Sequence, residues 1–361
     1  MNPEVPANDL PLLPPSADLE TPSILKKAIS AHAKLAELKG YVARLPNEHI
    51  LLNAVVLQEA RASSEIENII TTQDELYEAL VAEHPRMSAE TKEVLHYRSA
   101  MWRGYELLQN TGLLTTNSIC EIQAELEGND AGIRSVPGTA LKNEQTGETV
   151  YTPPDNEERI RLLLRNLEEY LNIEEPTDRL IKMAVAHYQF ESIHPFYDGN
   201  GRTGRILNVL YLVKEGLLDS PILYLSAHII RHKSDYYRLL QAVRTEQRWK
   251  EWVEFMLEAV GQTAGQTLQT VESIVALMED MVEIARERMS KSSYSKELVE
   301  LLFVQPYVKI AHVVEAGLAE RRTASKYLRQ LEEIGLLESY KLWKEQIFVN
   351  RRLVELLKKS S

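Results

Sequence analysis

Apolar residues recur at helical spacing along most of this chain. In the segment 178–193 the recurring positions are Leu180, Ile181, Ala184, Val185 and Phe190. A period of three to four residues is typical of helices that bury one face. Comparable patterns predict helices over roughly 22–43, 89–110, 116–127, 156–171, 178–193, 234–244 and 249–289. We therefore expect a mostly α fold.

The helical pattern is interrupted once in the middle of the chain, over residues 132–154. Val136 and Val150 stand there in segments of extended type, on either side of the turn residues Asn143 and Gly147. Two short extended segments joined by such turn residues predict a β-hairpin. A surface hairpin without a function is the plain alternative to a binding role.

A second change of pattern comes near the end. An apolar helix breaks at Gly317, another helix begins near Glu320, and alternating strands follow over about 339–349. This order predicts a small winged helix-turn-helix domain. Its second helix carries Arg321, Arg322, Thr323, Lys326 and Arg329. These side chains could reach DNA phosphates or base edges, although nearby glutamates dilute the charge and such domains also bind proteins.

Composition narrows the classes of protein. The chain has 361 residues and one cysteine, Cys120, which excludes a disulfide framework. Its Pro-rich, acidic start lacks the features of a signal peptide, and no apolar run is long enough to cross a bilayer. We expect a cytoplasmic protein without a membrane partner. The net charge is −12, but 13 basic against 9 acidic residues give +4 from Lys291 onward, so the C-terminal part favours a polyanion.

We divide the chain into three parts. Residues 1–88 hold a Pro-rich arm, which we expect to be extended on the surface, and a helix that ends in ASSEIEN. Residues 89–289 form a helical core, and residues 290–361 form the small C-terminal domain.

The stretch HPFYDGNGRTGR, residues 194–205, carries the most specific signal. Its GNGRTG reads as GxGxxG, the glycine pattern of dinucleotide-binding turns, but that fold needs a strand before the glycines and an acidic residue about 20 positions later. A helix precedes this loop instead, and Pro195 should end it at His194. A second buried helix follows. The glycines therefore lie at a helix N-terminus, where free N–H groups attract anions.

The same stretch resembles the Fic family motif HxFx(D/E)GNGRxxR, which it matches at every specified position. The resemblance implies a helical Fic core with a β-hairpin flap, in addition to the winged helix domain. It also implies transfer of AMP from ATP to a hydroxyl of a target protein. The flap, with Val136 and Val150, would position the target by strand addition. Kinase-type relatives lack the second glycine, so Gly201 and Arg202 favour AMP transfer.

Each loop residue then has an expected role. His194 is the general base for a Ser, Thr or Tyr hydroxyl, and Asp198 is a ligand for Mg²⁺ or, more plainly, a helix cap. Gly199, Asn200 and Gly201 hold the α-phosphate. Arg202 and Arg205, three apart on one helix, bind the β- and γ-phosphates or form a solvated pair. Phe196 is a core anchor, and Tyr237 stacks on adenine or packs in the core.

The helix end ASSEIEN resembles the inhibitory motif (S/T)xxxE(G/N) of Fic proteins that carry their own inhibitor. Ser63, Glu67 and Asn68 are the matching positions. The resemblance implies that Glu67 contacts Arg205 and keeps the resting protein nearly inactive. A similar glutamate could also position water to remove AMP. An ordinary solvated helix end is the alternative.

Two functions from different classes remain open on the sequence. The first is a self-inhibited protein adenylyltransferase that uses ATP and Mg²⁺ and modifies a protein target, itself included. The second is a DNA-binding regulator whose Fic core senses nucleotide. The target, the balance between adding and removing AMP, and the oligomeric state, a homo-oligomer included, are left open.

Overall fold

A computed structural model describes residues 2–44, 49–81, 87–143, 146–342 and 344–359. Helices dominate, and a two-stranded hairpin interrupts them between the fifth and sixth. The first group comprises α1 (Pro22–Val42), α2 (His49–Ile66), α3 (Gln73–Val81), α4 (Ala89–Thr111), α5 (Thr116–Glu127), β1 (Leu141–Lys142) and β2 (Thr149–Tyr151). The second comprises α6 (Glu157–Asn172), α7 (Arg179–Ile193), α8 (Asn200–Lys214), α9 (Ser226–Arg231), α10 (Lys233–Glu246) and α11 (Trp249–Arg288).

The helices predicted from the apolar pattern are confirmed to within a few residues. Local signals explain their ends: Ser88 and Thr115 accept backbone N–H groups at the starts of α4 and α5, and Gly112 and Gly128 end these helices in the left-handed conformation. The short helices α3 and α9 were not predicted. Among the described residues, no helix combines the length and apolarity needed to cross a membrane.

Helices α7 and α8 form the centre of the molecule. All residues from Leu180 to Ile193 are buried, as are nearly all residues of α8. The neighbours α4, α5, α6 and α11 pack around this pair. The loop between α7 and α8 is therefore held at both ends by fully buried helices, which gives it little freedom to move.

The Pro-rich arm lies on the surface of the helical core, as expected, but its backbone turns repeatedly and is not extended throughout: the N–H of Leu10, for example, donates to the carbonyl of Ala7 at 3.0 Å. It buries Leu10 and Leu13 against the helical core. The backbone N–H of Leu13 donates to Asn166 Oδ1 at 2.7 Å, and Gln189 Nε2 donates to the carbonyl of Pro11 at 2.8 Å. The arm thus covers the outer side of α6 and α7.

The C-terminal unit has its own short sheet. Its elements are α12 (Lys296–Val304), β3 (Tyr307–Val308), α13 (Ile310–Glu315), α14 (Arg321–Glu333), β4 (Glu338–Leu342), β5 (Glu345–Val349) and α15 (Arg351–Lys359). The strands are antiparallel in the order β3-β5-β4, with Tyr307 opposite Val349 and Ser339 opposite Phe348. Two helices followed by two antiparallel strands thus occur in the predicted order.

The C-terminal unit packs directly on α2 and α3. Gln58 Nε2 of α2 donates to the carbonyl of Leu357 at 2.9 Å. On α3, Asp74 accepts from the Tyr307 hydroxyl at 2.7 Å, and Tyr77 stacks on the Tyr307 ring at 5.4 Å between centroids. The helix that carries Ser63, and the segment after it that carries Glu67, thus lie between the C-terminal unit and the helical core.

Candidate active site

The loop HPFYDGNGRTGR begins where α7 ends. His194 has φ 48° and ψ 60°, a left-handed conformation, and its N–H still donates to the carbonyl of Phe190 at 3.0 Å. At the other end Gly199, with φ 76°, precedes the first turn of α8. Glycine suits this position because side chains disfavour a positive φ. The chain thus reverses between two helices within the six residues 194–199.

Asn200 fixes the shape of the loop. Its Oδ1 accepts the N–H of Phe196 at 2.8 Å, and its Nδ2 donates to the carbonyl of the same residue at 2.8 Å. Phe196 is fully buried, as expected of a core anchor. The Asn200 amide that we expected at the α-phosphate is therefore committed to the loop backbone in this structure. The backbone N–H groups of the first turn of α8 remain the anion-binding feature.

Arg134, which the sequence analysis did not single out for a role, holds His194 in place. Its buried guanidinium donates to the carbonyls of His194 at 2.7 Å and of Ile193 at 3.2 Å, and also to that of Pro154. Its own N–H donates to the carbonyl of Pro195 at 2.9 Å. The base of the hairpin is thereby tied to the loop between α7 and α8. The sequence did not predict this role, because the position of a charged residue beside a hairpin does not show which carbonyl groups it will bind.

The environment of His194 favours the neutral imidazole. Burial, with the nearby charges of Arg134 and Arg244, lowers the pKa of His194 to about 3. A neutral ring can accept a proton, which a general base requires.

Asp198 is exposed at the rim of the loop. Its Oδ1 accepts the N–H of its neighbour Gly199 at 2.7 Å. Gly199 is itself the N-cap residue of α8, and no described side chain caps this helix, so the helix-cap alternative for Asp198 is wrong. The described residues hold no group of three or more metal-ligating side chains. A Mg²⁺ bound here would take one carboxylate and complete its shell with phosphate oxygens and water, which is the usual arrangement for this ion.

Arg205 and Glu67 form the expected ion pair. Arg205 is almost completely buried and donates to Glu67 Oε1 at 2.8 Å. It also donates to the hydroxyl of Ser63 at 2.7 Å and to the carbonyl of Ser63 at 2.9 Å. Burial opposes the charged form of Glu67, but the charge and hydrogen bond of Arg205, with the charges of Arg202 and Lys233, together outweigh burial and lower the pKa of the carboxyl. A Cβ on Gly201 would collide with Glu67 Oε1, so this carboxylate rests on the loop itself.

Asn68 adjoins this pair. It ends the helical segment with φ 61°, the left-handed stop that its residue type favours. Its Oδ1 accepts from Lys233 Nζ of α10 at 3.2 Å.

Arg202 points to different partners. Its buried guanidinium bonds Glu93 of α4 at 3.0 Å and Glu127 of α5 at 3.0 Å. The two arginines of the motif therefore diverge, one toward α2 and one toward α4 and α5, although their spacing of three predicts a shared face. The carboxylates on separate helices account for this difference, and the sequence did not indicate Glu93 or Glu127.

The aromatic pair of α10 separates into a buried and an exposed ring. Tyr236 is buried and shares a 2.8 Å hydrogen bond with His187 Nε2. Tyr237 is 43% exposed and meets Tyr236 edge-on at 5.2 Å between ring centroids. The alternative that Tyr237 is a core residue is therefore wrong.

The flap is smaller than expected. Val150 lies in β2, and its carbonyl accepts from Gln241 Nε2 at 3.2 Å. The expectation that Val136 lies in an extended segment of the hairpin is wrong. It lies in an exposed bend before β1, because Pro137 and then Gly138, with φ 111°, turn the chain there.

Family models match three successive parts of the chain. The Fic/DOC family N-terminal model matches residues 25–106, and the Fic/DOC family model matches residues 113–212, the part that holds the loop. A model described as "Protein adenylyltransferase SoFic-like, C-terminal domain" matches residues 277–353.

Individual relatives agree with these models. "Protein adenylyltransferase Fic" of Culex quinquefasciatus is 26% identical over 239 residues, 65% of this chain and 43% of the relative. A "Probable protein adenylyltransferase" of Aquifex aeolicus is 47% identical over 57 residues, 16% of this chain and 18% of the relative. The chain spans less than half the length of the curated relatives that it matches.

Solved structures share the fold. A Fic family protein from Desulfovibrio desulfuricans matches with a TM-score of 0.59 at 21% identity, covering 93% of this chain and 98% of that one. Fic-1 from C. elegans, residues 134–508, matches with a TM-score of 0.54 at 20% identity, covering 70% of this chain and 75% of that one.

Proposed function

Because the chain belongs to the Fic/DOC family, we propose that it transfers AMP from ATP to a Ser, Thr or Tyr hydroxyl of a target protein. The observation that carries the proposal is the fixed loop between α7 and α8. It combines a neutral imidazole at His194 with a helix N-terminus that offers unpaired N–H groups to phosphate.

The reaction follows from this geometry. The target hydroxyl gives its proton to His194 as its oxygen attacks the α-phosphorus of ATP. The bond from that phosphorus to the bridging oxygen breaks, and pyrophosphate leaves with the electron pair. N–H groups at the start of α8, including that of Gly201, stabilise the added charge on the α-phosphate. Asp198 would hold Mg²⁺, which supplies charge neutralisation for the phosphates when bound.

The pKa of His194 bears on its role as a base. At a pKa of about 3 the imidazole is neutral but weakly basic. Bound polyphosphate would bring negative charge beside it and raise its pKa, since an opposite charge favours the protonated form. The base therefore strengthens when ATP is in place. Val150 of the flap would align the target, and the exposed Tyr237 would stack on adenine.

We further propose that the resting protein inhibits itself. Glu67 occupies the Arg205 donors that the γ-phosphate needs, and its carboxylate rests against Gly201. ATP could still enter with its phosphates displaced, but the α-phosphate would then be turned away from in-line attack. The same carboxylate could orient a water molecule for the removal of AMP.

The direct test is mass spectrometry of the protein and of candidate targets after incubation with ATP and Mg²⁺. An AMP adduct on a hydroxyl side chain, absent from the His194→Ala variant, supports transfer. A protein that binds ATP but forms no adduct, even when Glu67 is removed, contradicts it.

A second function is favoured by one observation on α14. Arg321, Arg322, Lys326 and Arg329 are exposed, and none of them lies within ion-pair distance of a carboxylate in the described part of the chain. Such unneutralised cations suit duplex DNA, in a regulator whose Fic core senses nucleotide. Salt-sensitive, sequence-specific duplex binding without AMP transfer would favour this alternative. Salt-insensitive binding of a protein at α14 would exclude it.

A further inference from the structure

Two carboxylates flank the N-terminus of α8, one beside each glycine of the GNG segment. A Cβ on Gly201 would collide with Glu67 Oε1, and a Cβ on Gly199 would collide with Glu127 Oε1. Each carboxylate also accepts a hydrogen bond from one arginine of the motif, Arg205 at 2.8 Å and Arg202 at 3.0 Å. Glu127 thus pairs with Arg202 in the same way as Glu67 pairs with Arg205.

We propose that Glu127, assisted by Glu93, limits the affinity of the site for ATP by competing with the phosphates for Arg202. This inference rests on the proposed function, because it takes ATP as the ligand of the loop. Under this proposal a second set of carboxylates competes with ATP, in addition to Glu67. These carboxylates lie on different helices and bind the other arginine of the motif.

The occupancy of the Arg202 donors supports competition. The Arg202 side chain is 5% exposed, and both of its terminal nitrogens are bonded, Nη1 to Glu93 and Nη2 to Glu127. A guanidinium binds phosphate bidentately through neighbouring N–H groups. A phosphate that binds through both terminal nitrogens of Arg202 must therefore displace at least one carboxylate, whereas the buried Nε has no hydrogen-bond partner among the described residues.

Charge supports the same conclusion. Two carboxylates share one guanidinium, so this side of the loop is negative overall. Burial raises the pKa of Glu127. The Arg202 charge opposes this rise, and the neighbouring Asp198 and Glu93 charges add to it. An incoming polyphosphate meets the same repulsion. A helix N-terminus attracts anions, and a carboxylate already lies beside the N-terminus of α8.

Glu127 should matter more than Glu93. The Glu127 side chain is 13% exposed, whereas that of Glu93 is 43% exposed. Solvent screens an exposed pair and weakens it. Because neither residue contacts Arg205, their effect on ATP should persist when Glu67 is replaced.

The test measures ATP affinity by calorimetric titration of Mg-ATP into the full chain, in a His194→Ala background that prevents turnover. We expect Glu127→Gln to bind ATP roughly tenfold more tightly, the scale of one hydrogen bond between charged groups, and Glu93→Gln to show a smaller gain. Glu125→Gln is the matched control. It removes the same charge from an exposed residue of α5 that has no ion pair in the described part of the chain.

The outcomes are distinct. Binding by Glu127→Gln that is equal to that of Glu125→Gln, or weaker, overturns the proposal and makes Glu127 an anchor that orients Arg202. If Glu127→Gln fails to fold, the gain in Glu93→Gln decides, and its absence overturns the proposal. If the Glu67→Gly variant binds no ATP at all, the proposed function itself fails, which is a different result from unchanged affinity.

Discussion

Replacing Glu67 with glycine should release AMP transfer. In the structure Arg205 makes three hydrogen bonds, two to Ser63 and one to Glu67 at 2.8 Å. The Glu67→Gly change removes the third bond and the competing charge. The two bonds to Ser63 remain, so the guanidinium keeps buried partners and the fold should survive.

The size of the effect follows from this one bond. A hydrogen bond to a charged group contributes about 1.5–3 kcal/mol. A third of the Glu67 side chain is exposed (34%), so solvent screening favours the lower end of that range. If the resting protein and the ATP-competent protein differ by this contact, its loss shifts their ratio by roughly 10-fold, the factor that corresponds to about 1.5 kcal/mol. Transfer should rise by the same factor.

The assay is the initial rate of AMP incorporation from labelled ATP, self-modification included. Glu67→Gln is the matched variant, because it keeps the side-chain length while removing the charge, and it should give a smaller rise. The double variant Glu67→Gly, His194→Ala should be silent, which separates released catalysis from a contaminant. Equal rates for the wild type and Glu67→Gly, with measurable wild-type activity, would refute the reasoning.

Three further results are expected. His194→Ala should lower transfer by about 10²–10⁴-fold while ATP binding is retained, and full activity in this variant would remove His194 from the mechanism. Arg134→Ala should leave the carbonyls of His194 and Ile193 without a donor, at about 1–3 kcal/mol for each buried group, so both the denaturant midpoint and the transfer rate should fall; an unchanged midpoint would contradict this. Burial, with the Arg205 charge, lowers the pKa of His187 from 6.5 to about 3. As pH falls below 6.5, His187 is therefore protonated in the unfolded chain before it is protonated in the folded protein. The free energy of unfolding should drop over this range by up to ~1.4 kcal/mol per pH unit. Urea titrations of the wild type and of His187→Gln between about pH 6 and pH 5 check this, because the variant should lack that part of the slope; identical slopes would count against it.

Local patterns predicted the long helices well. The bounds of α5 agree with its apolar spacing and with the Thr115 and Gly128 signals at its ends. The short helix α3 was missed although its start signal is local: Thr72 Oγ1 accepts the N–H of Glu75 at 3.2 Å, and Glu75 Oε2 accepts the N–H of Thr72 at 2.9 Å, which is a capping box.

The site was predictable where one motif fixes several residues together. The contact between Glu67 and Arg205 followed from two motifs, each with defined spacing. By contrast, the roles of Arg134 and Glu127 depend on which carbonyls and guanidinium groups the tertiary fold brings near them. Val136 was misplaced because the alternating pattern overlooked the turn that Pro137 imposes.

The packing of the C-terminal unit on α2 has a consequence for the order in which the protein folds during synthesis. Gln58 and Leu357 are 299 residues apart, whereas Glu67 and Arg205 are 138 apart. At ~5–20 residues per second, the ribosome needs roughly 15–60 s to pass from the first contact partner to the second in the longer case. Both members of the ion pair are therefore available well before α15 exists, and during that interval the face of α2 that later contacts Leu357 stays uncovered on the nascent chain.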